Sequence, residues 1–376
     1  MRIAVDARLL SRRLTGLGRY TFEMCRALLK LESITLYLYS PSIIPDKVKE
    51  ELPSAHIRER GWNNGLVRQL WSQSYLPLWA RFDEVDVFWG PAHRLPRFLP
   101  KNMPQVVTIH DLVWKYASKT MSFATYALER IEMPLAARSA DIIVTDSFST
   151  AEQVKLEFSV QDDKISVIPL AVNYDQDVLP FNVMETLGIH VPYFLFVGTL
   201  EPRKNLARLL EAYALLPERV RDRASLVIVG DKGWGGFDVK DAIYRLGLSG
   251  HVRLLGYVDE KLLNTLYSYA EFLAIPSLYE GFCLPLIEAM IHGKPVLTSN
   301  NSSMPEVAGD AGLLVDAEDI QSIKWGLNRL ITDGKLHSAL SKQALTNVRR
   351  FSWDSSAQKL AIACERAMSV RKSMDI

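Results

Sequence analysis

Cysteine is scarce in this chain: Cys25, Cys283 and Cys364 are the only three among 376 residues. They lie far apart and form no C-x-x-C pair or Cys/His cluster. That spacing argues against a disulfide framework and against a structural zinc site, and it suits a reducing compartment. Net charge is as scant, +1 at pH 7, which gives no reason to expect a nucleic-acid partner. No apolar run is long enough to span a bilayer. The opening MRIAVDARLL carries Asp6 and Arg8 inside its apolar stretch, so it lacks the anatomy of a secretory signal. The expectation is a cytoplasmic protein.

What is present is ordinary globular composition, 48% hydrophobic and 23% charged, enough to bury a large core. A chain of 376 residues exceeds the size at which one core stops growing, so two domains are expected. Residues 1–100 hold 15 Lys and Arg against 10 Asp and Glu, while residues 173–376 hold 22 against 24. The mildly basic first part suits an anionic partner or a membrane surface, and equally the scatter of ordinary surface charge.

Short apolar runs alternate with amphipathic helical patterns. RIAVDA (2–7), ITLYLY (34–39), VDVFWG (85–90), QVVTIHD (105–111), DIIVTD (141–146) and ISVIPL (165–170) read as buried strands. Residues 171–192 are irregular, with prolines near both ends, and mark a linker. A second series follows: YFLFVGTL (193–200), SLVIVGD (225–231), HVRLLGYV (251–258), EFLAIPS (271–277), KPVLTS (294–299) and GLLVD (312–316). Beyond about residue 318 only helical patterns remain, the last (352–368) opening with Asp354 as its expected N-cap. Such alternation implies an α/β protein with two doubly wound parallel sheets. The expected division is 1–172, a linker 173–192, 193–353, and a closing helix at about 354–376.

Ligands of such sheets bind beyond the carboxyl ends of the strands, so chemistry is sought there. After the first strand, Gly16 and Gly18 lead into a helix, where glycine permits close backbone approach and free N–H groups favour phosphate. A plain glycine turn reads equally well. The stretch is G-x-G-x-x-T, a near miss to the dinucleotide fingerprint, and no acid ends the second strand, so NAD is discounted. WNNGLVRQLWSQSYLPLWARF (62–82) sets Leu66, Val67, Leu70, Trp71, Leu78 and Trp79 at helical spacing, and a core helix is preferred over a membrane-surface one. His110 and Asp111 end another strand, where the His is placed to touch substrate or move a proton. In DSFSTAEQV, one of Ser147 and Ser149 caps a helix, and Ser149 with Glu152 fits a capping box.

In the second half, a strand ends at Gly198, and Arg203 and Lys204 stand just before a helix. Two fixed cations there suit a diphosphate. PSLYEGFCLPLIEAM (276–290) holds Glu280 in a loop and Glu288 within the first turn or so of a helix, with Pro285 in its first turn and Gly293 as its C-cap. The two carboxylates lie on different elements and need not face each other as an acid/base pair would.

With GLGRYT, VVTIHDL, FVGTLEPRKNL, LVIVGDKGW, VRLLGYV and PSLYEGFCLPLIEAM in this order, the chain resembles the retaining nucleotide-sugar glycosyltransferases of family 4, also called group 1. The likeness implies the GT-B architecture: two Rossmann-like doubly wound parallel-sheet domains facing a cleft, with the C-terminal helix crossing back to the first. It implies that Arg203 and Lys204 hold the donor diphosphate and that Glu288, the second glutamate of the E-x7-E signature, accepts from ribose hydroxyls. Glu280, with the amides of Gly281, Phe282, Cys283 and Leu284, would orient the transferred sugar. The main chain near Val258 would meet the base, Gly16 and Gly18 the phosphates, and His110 the sugar or its anomeric centre. Cys283 departs from the small residue, often glycine, usual there. The likeness implies that no metal or other cofactor is needed.

DARLLSRRLTGLGRYT followed by TIHDL resembles the mannosyltransferases of bacterial O-antigen and polysaccharide synthesis. That implies GDP-mannose as donor, a lipid-linked saccharide or growing glycan as acceptor, and a place in the cytoplasm or peripherally on the inner membrane. The alternatives are a UDP-, ADP- or dTDP-sugar donor, a sugar-nucleotide epimerase of similar architecture, and a protein that binds a sugar nucleotide without transfer.

Overall fold

The computed structural model describes residues 1–14, 16–62, 65–173, 177–189 and 192–374, without the side chains of 65, 66, 68, 69 and 374. The Leu66 side chain, parts of the 173–192 linker and the last two residues of the expected closing helix lie outside it. The chain forms two compact units, one of residues 1–112, 127–170 and 352–376, the other of 113–126 and 171–351.

The first unit is built on seven strands: β1 (Arg2–Asp6), β2 (Thr35–Ser40), β3 (His56–Glu59), β4 (Val87–Gly90), β5 (Gln105–Ile109), β6 (Ile142–Thr145) and β7 (Ile165–Val167). All pair in parallel, in the order β3-β2-β1-β4-β5-β6-β7. Ile3 sits between Leu36 and Val87. The central strands are buried along their length because helices cover both faces of a parallel sheet, and so they read as continuous apolar runs. β3, the polar HIRE, is a half-exposed edge strand. It needs no apolar run, and the sequence pattern does not reveal it.

The closing helix, Trp353–Met374, packs on the helix Leu17–Leu28 and along β4, β5 and β6. Its buried stripe is Ala357, Leu360, Ala363, Cys364 and Ala367. Ser356 Oγ donates to the Pro169 carbonyl (2.7 Å), and Arg371 pairs with Asp141 (3.0 Å). Asp354 is not the cap. It lies inside the first turn and pairs with Lys30 at 2.7 Å.

The second unit has six parallel strands: β8 (Tyr193–Val197), β9 (Ser225–Val229), β10 (Val252–Gly256), β11 (Leu273–Ile275), β12 (Val296–Ser299) and β13 (Gly312–Val315). Their order is β10-β9-β8-β11-β12-β13. Phe194 and Phe272 stack in its core with ring centroids 5.0 Å apart. Strand order reverses between β1 and β4 in one sheet and between β8 and β11 in the other. Such a switch point is where an open α/β sheet leaves a crevice for a ligand.

Two local expectations change. The helix Phe148–Phe158 is capped by Ser147, whose Oγ accepts the Thr150 N–H at 3.1 Å, not by Ser149. Residues 65–82 form two helices, Gly65–Gln73 and Tyr75–Phe82. Trp71, Leu76 and Ala80 are buried as expected of a core segment, but Leu70, Leu78 and Phe82 are 62–77% exposed. One face of the second helix is therefore apolar and open.

Gly230, just after β9, has φ +149, and a Cβ there would lie 1.9 Å from the Gly198 carbonyl oxygen. Gly247 also has positive φ, but a Cβ there would meet nothing within 4 Å. Gly230→Ala should therefore cost about 3 kcal/mol and Gly247→Ala about 1 kcal/mol. Thermal unfolding of the two variants checks this. Equal losses would mean that the β8–β9 approach is not tight.

Candidate active site

The carboxyl ends of β8 and β11 bring the adjacent Arg203 and Lys204 together with Glu280, 77 and 76 positions away in sequence. After β8, the short turn Pro202–Lys204 is followed by Asn205, held at φ +61. Asn205 Nδ2 donates to the Pro276 carbonyl (2.8 Å) and to the Ala317 carbonyl (2.7 Å). It thereby ties the turn to the loop after β11. Gly198 has no side chain, and the Lys204 aliphatic stem lies across it.

Arg203 and Lys204 converge on Glu280. Arg203 Nη1 donates to Glu280 Oε2 and to the Tyr279 carbonyl, and Arg203 Nη2 pairs with Glu201. Lys204 Nζ reaches Glu280 Oε1 at 2.6 Å, and Ser277 Oγ donates to the same oxygen at 2.8 Å. The main chain of Glu280 is pinned as well: its N–H donates to Ser302 Oγ (3.1 Å), and its carbonyl accepts from Ser303 Oγ (2.9 Å). Glu280 is 6% exposed. Burial alone would raise its carboxyl, but the Arg203 and Lys204 charges outweigh it and hold the group down at about 2. It is an ionised acceptor at neutral pH, which rules it out as a proton donor there.

The rest of PSLYEGFCLPLIEAM leads into the helix Leu284–Ile291, with Pro285 in its first turn and Gly293 at φ +68 beyond its end. Cys283 caps that helix at φ +77, a left-handed conformation natural to glycine. Burial, then the Glu280 charge, push its thiol up to about 12, so it is no nucleophile at neutral pH. Phe282 packs edge-on to Phe351. Glu288 lies on the helix and accepts from the Tyr267 hydroxyl at 2.9 Å. The two glutamates thus have separate partners, as expected of residues on different elements. Val258 follows β10, just before Asp259, whose carboxylate caps the helix Glu260–Tyr269.

The remaining candidates belong to the first unit. Gly16 is the N-cap of the helix Leu17–Leu28, at φ +43. A Cβ on Gly18 would make ordinary contact with the Leu9 carbonyl, 3.4 Å away. His110 is buried. Its Nε2 donates to the Pro91 carbonyl (2.7 Å), and its Nδ1 meets Asp146 Oδ2 at 2.6 Å. Burial works against the charged ring, but the Asp146 charge and bond prevail and raise it. The Tyr20 ring closes over His110 edge-on at 4.6 Å. Both ring nitrogens are engaged, so the geometry is that of a positioning residue rather than of a free proton shuttle.

Sequence reading does not single out Asn205, Ser277, Ser302, Ser303 or Tyr267. Each is a common residue type whose role appears only when the parallel order of β8, β11 and β12 brings its loop alongside Glu280 or its helix alongside Glu288. The asparagine directly after Arg203 and Lys204 is the one local signal, since Asn tolerates a left-handed conformation before a helix.

Comparison with known proteins identifies the family and the fold. The chain matches the family model of group 1 glycosyl transferases over residues 187–346 and that of glycosyltransferase family 4 over residues 14–176. It is 33% identical over 371 residues to O-antigen chain mannosyltransferase B of Escherichia coli, covering 91% of this chain and 93% of that one. Among solved structures, Anabaena HepE in complex with UDP and glucose matches with a TM-score of 0.72 at 19% identity, covering 96% of this chain and 98% of that one. WaaG, a glycosyltransferase involved in lipopolysaccharide biosynthesis, matches at 0.70 and 17%, with the same coverage. These last two likenesses concern the fold. Two family models spanning most of the chain, and a relative one-third identical along nearly its whole length, establish that the chain belongs to the group 1, family 4 glycosyltransferases with the GT-B fold.

Proposed function

We propose that the chain transfers a mannosyl group from GDP-mannose, with retention, to a saccharide on a lipid carrier or to a growing glycan. The observation that carries the reading is the Arg203–Lys204–Glu280 cluster at the β8/β11 switch point. Its cations stand where a diphosphate needs counter-charge, beside a carboxylate that accepts sugar hydroxyls. The choice of mannose is supported by the name of the Escherichia coli relative.

In this reading Arg203 and Lys204 supply the counter-charge without a metal. Glu280 and the main chain of Gly281, Phe282, Cys283 and Leu284 orient the sugar, Glu288 takes the ribose, and the main chain at Val258 takes the base. The bond from the anomeric carbon to the phosphate oxygen breaks with its electron pair on the diphosphate. The acceptor oxygen forms the new bond and passes its proton to the departing phosphate oxygen. Positioning and charge stabilisation then do most of the catalysis.

The same reading places the protein at a membrane surface. Among the described residues no helix is long and apolar enough to cross a membrane. The helix Tyr75–Phe82 turns Tyr75, Leu78 and Phe82 outward on one face, 41–77% exposed, with exposed Arg60 and Arg81 nearby in sequence or space. Aromatic and aliphatic side chains beside arginine suit the interface of an anionic bilayer.

Lys204→Ala or Glu280→Ala should lower mannosyl transfer by about 10²-fold or more. A radiolabelled transfer assay with GDP-mannose, run beside UDP, ADP and dTDP sugars, checks this. Wild-type rates in both variants would overturn the site, and transfer from a UDP sugar alone would overturn the donor. The double variant Leu78→Ser, Phe82→Ser should sediment less with phosphatidylglycerol vesicles than the wild type does. Equal sedimentation would remove the membrane assignment.

A further inference from the structure

The β1/β4 switch point of the first unit carries a pocket that Leu17, between Gly16 and Gly18, helps to line. It is a cavity of about 310 Å³ whose lining includes Asp6, Arg8, Arg12, His93, Arg94 and Glu129. Asp6 ends β1, residues 91–94 follow β4, and Glu129 comes from the helix Phe123–Ser139. The volume is at the small end of ligand sites, about 300 Å³ upward.

The wall after β4 is rigid. A Cβ on Gly90 would lie 2.2 Å from the Arg94 carbonyl oxygen, so the loop folds tightly on itself. His93 is held at φ +61, which is rare for a residue with a side chain. Its N–H donates to the Thr108 carbonyl (2.9 Å), and its Nε2 accepts the His110 N–H (3.3 Å). A ring nitrogen of His93 and carboxylate oxygens of Asp111 and Glu129 lie within 4.8 Å of one another. Backbone strain of this kind persists where the surroundings over-determine it, and it concentrates at functional sites.

The charges in this pocket do not cancel locally. Arg8 is matched, with its Nε on Asp6 Oδ1 at 2.8 Å and its Nη2 on Asp6 Oδ2 at 2.5 Å. Arg94 makes no ion pair or side-chain hydrogen bond among the described residues, and neither does Arg12 at the exposed rim. Burial, and then the neighbouring Arg8 charge, pull the Arg94 guanidinium down. Glu132, Glu129 and Asp6 offset it in that order, but Glu132 is bonded to Arg97 and Asp6 to Arg8, and burial and Asp111 push the Glu129 carboxyl up to about 7. Neutral hydroxyls would leave the Arg94–Arg8 repulsion in place. A bound oxyanion would relieve it, and the guanidinium fork matches phosphate oxygens.

We propose that this pocket receives a phosphate group of the acceptor, held by Arg94 with Arg12 at the rim and with Glu129 beside it for an adjoining sugar hydroxyl, so that Arg94 selects phosphorylated acceptors. The inference rests on the chain acting as a glycosyltransferase, but its test does not depend on the donor. Wild type, Arg94→Gln and Arg94→Lys, as full chains, are titrated by calorimetry with inorganic phosphate, mannose 1-phosphate, mannose and acetate. Each variant's melting temperature is recorded to show that it folds. Arg203 and Lys204 are intact in all three, so any phosphate bound there is common to them and the difference reports the pocket.

Both phosphate ligands should bind about tenfold or more weakly to Arg94→Gln and recover in part in Arg94→Lys. Mannose and acetate should show no difference, and GDP should bind all three proteins alike. Arg12→Gln, an exposed substitution that does not disturb the loop, should lose about threefold. Equal phosphate affinity in wild type and Arg94→Gln would overturn the proposal. So would a wild-type preference for mannose or acetate over phosphate, or a loss of GDP binding in parallel with phosphate. Failure of the wild type to bind any nucleoside diphosphate would instead sink the transfer reading, while the phosphate comparison would still decide the pocket.

Discussion

One buried carboxylate facing two cations organises the second unit. An unpaired ionised Glu280 could not stay in its site, since a lone charge removed from water is strongly disfavoured. Arg203 and Lys204 make it tolerable, and the hydroxyls of Ser277, Ser302 and Ser303 fix the side chain and main chain that present it. The dependence runs both ways. Without Glu280 the two cations would repel each other across the end of β8. Such clusters are better understood as specifying one arrangement than as adding net stability, and a diphosphate offers the cations a richer set of acceptors than one carboxylate does.

The same topological device appears twice. Each sheet reverses its strand order once, and each reversal collects basic side chains, carboxylate and strained backbone from loops distant in sequence. In the second unit the strain is at Asn205 and Cys283, and in the first at His93. The two clusters differ in their electrostatic state. Around Glu280 the charges are paired and hydrogen-bonded, whereas at the β1/β4 pocket Arg94 makes no ion pair or side-chain hydrogen bond among the described residues. His110 stands apart from both patterns. Its ring is committed to Asp146 and Pro91, and that fixes the loop after β5 against the loop after β4.

Much of this was readable from the sequence, for reasons that particular residues show. Buried parallel strands such as QVVTI and YFLFV announce themselves because both faces must be apolar. Arg203, Lys204 and Glu280 stand out because each follows a strand, and Glu288 because it lies on the helix that the same loop enters. What failed to show was whatever depends on neighbours. β3 is polar because one side of it faces solvent. Ser147 and Ser149 differ in nothing local that decides which one caps the helix. Leu70, Leu78 and Phe82 fall in the apolar pattern of a core segment but are exposed on the two helices it forms. Arg94 and Glu129 are 35 positions apart with no motif joining them, and only the switch between β1 and β4 lets them line one cavity.

The central claim is that the cations paired with Glu280 bind the diphosphate of a sugar nucleotide. Calorimetric titration of GDP against GMP, with UDP and UMP alongside, measures what the second phosphate contributes. The account predicts that for one of the two nucleotides the diphosphate binds about tenfold or more tightly than the monophosphate, and that this margin disappears in Lys204→Ala. Equal affinities in the wild type, or a margin that survives Lys204→Ala, would contradict it.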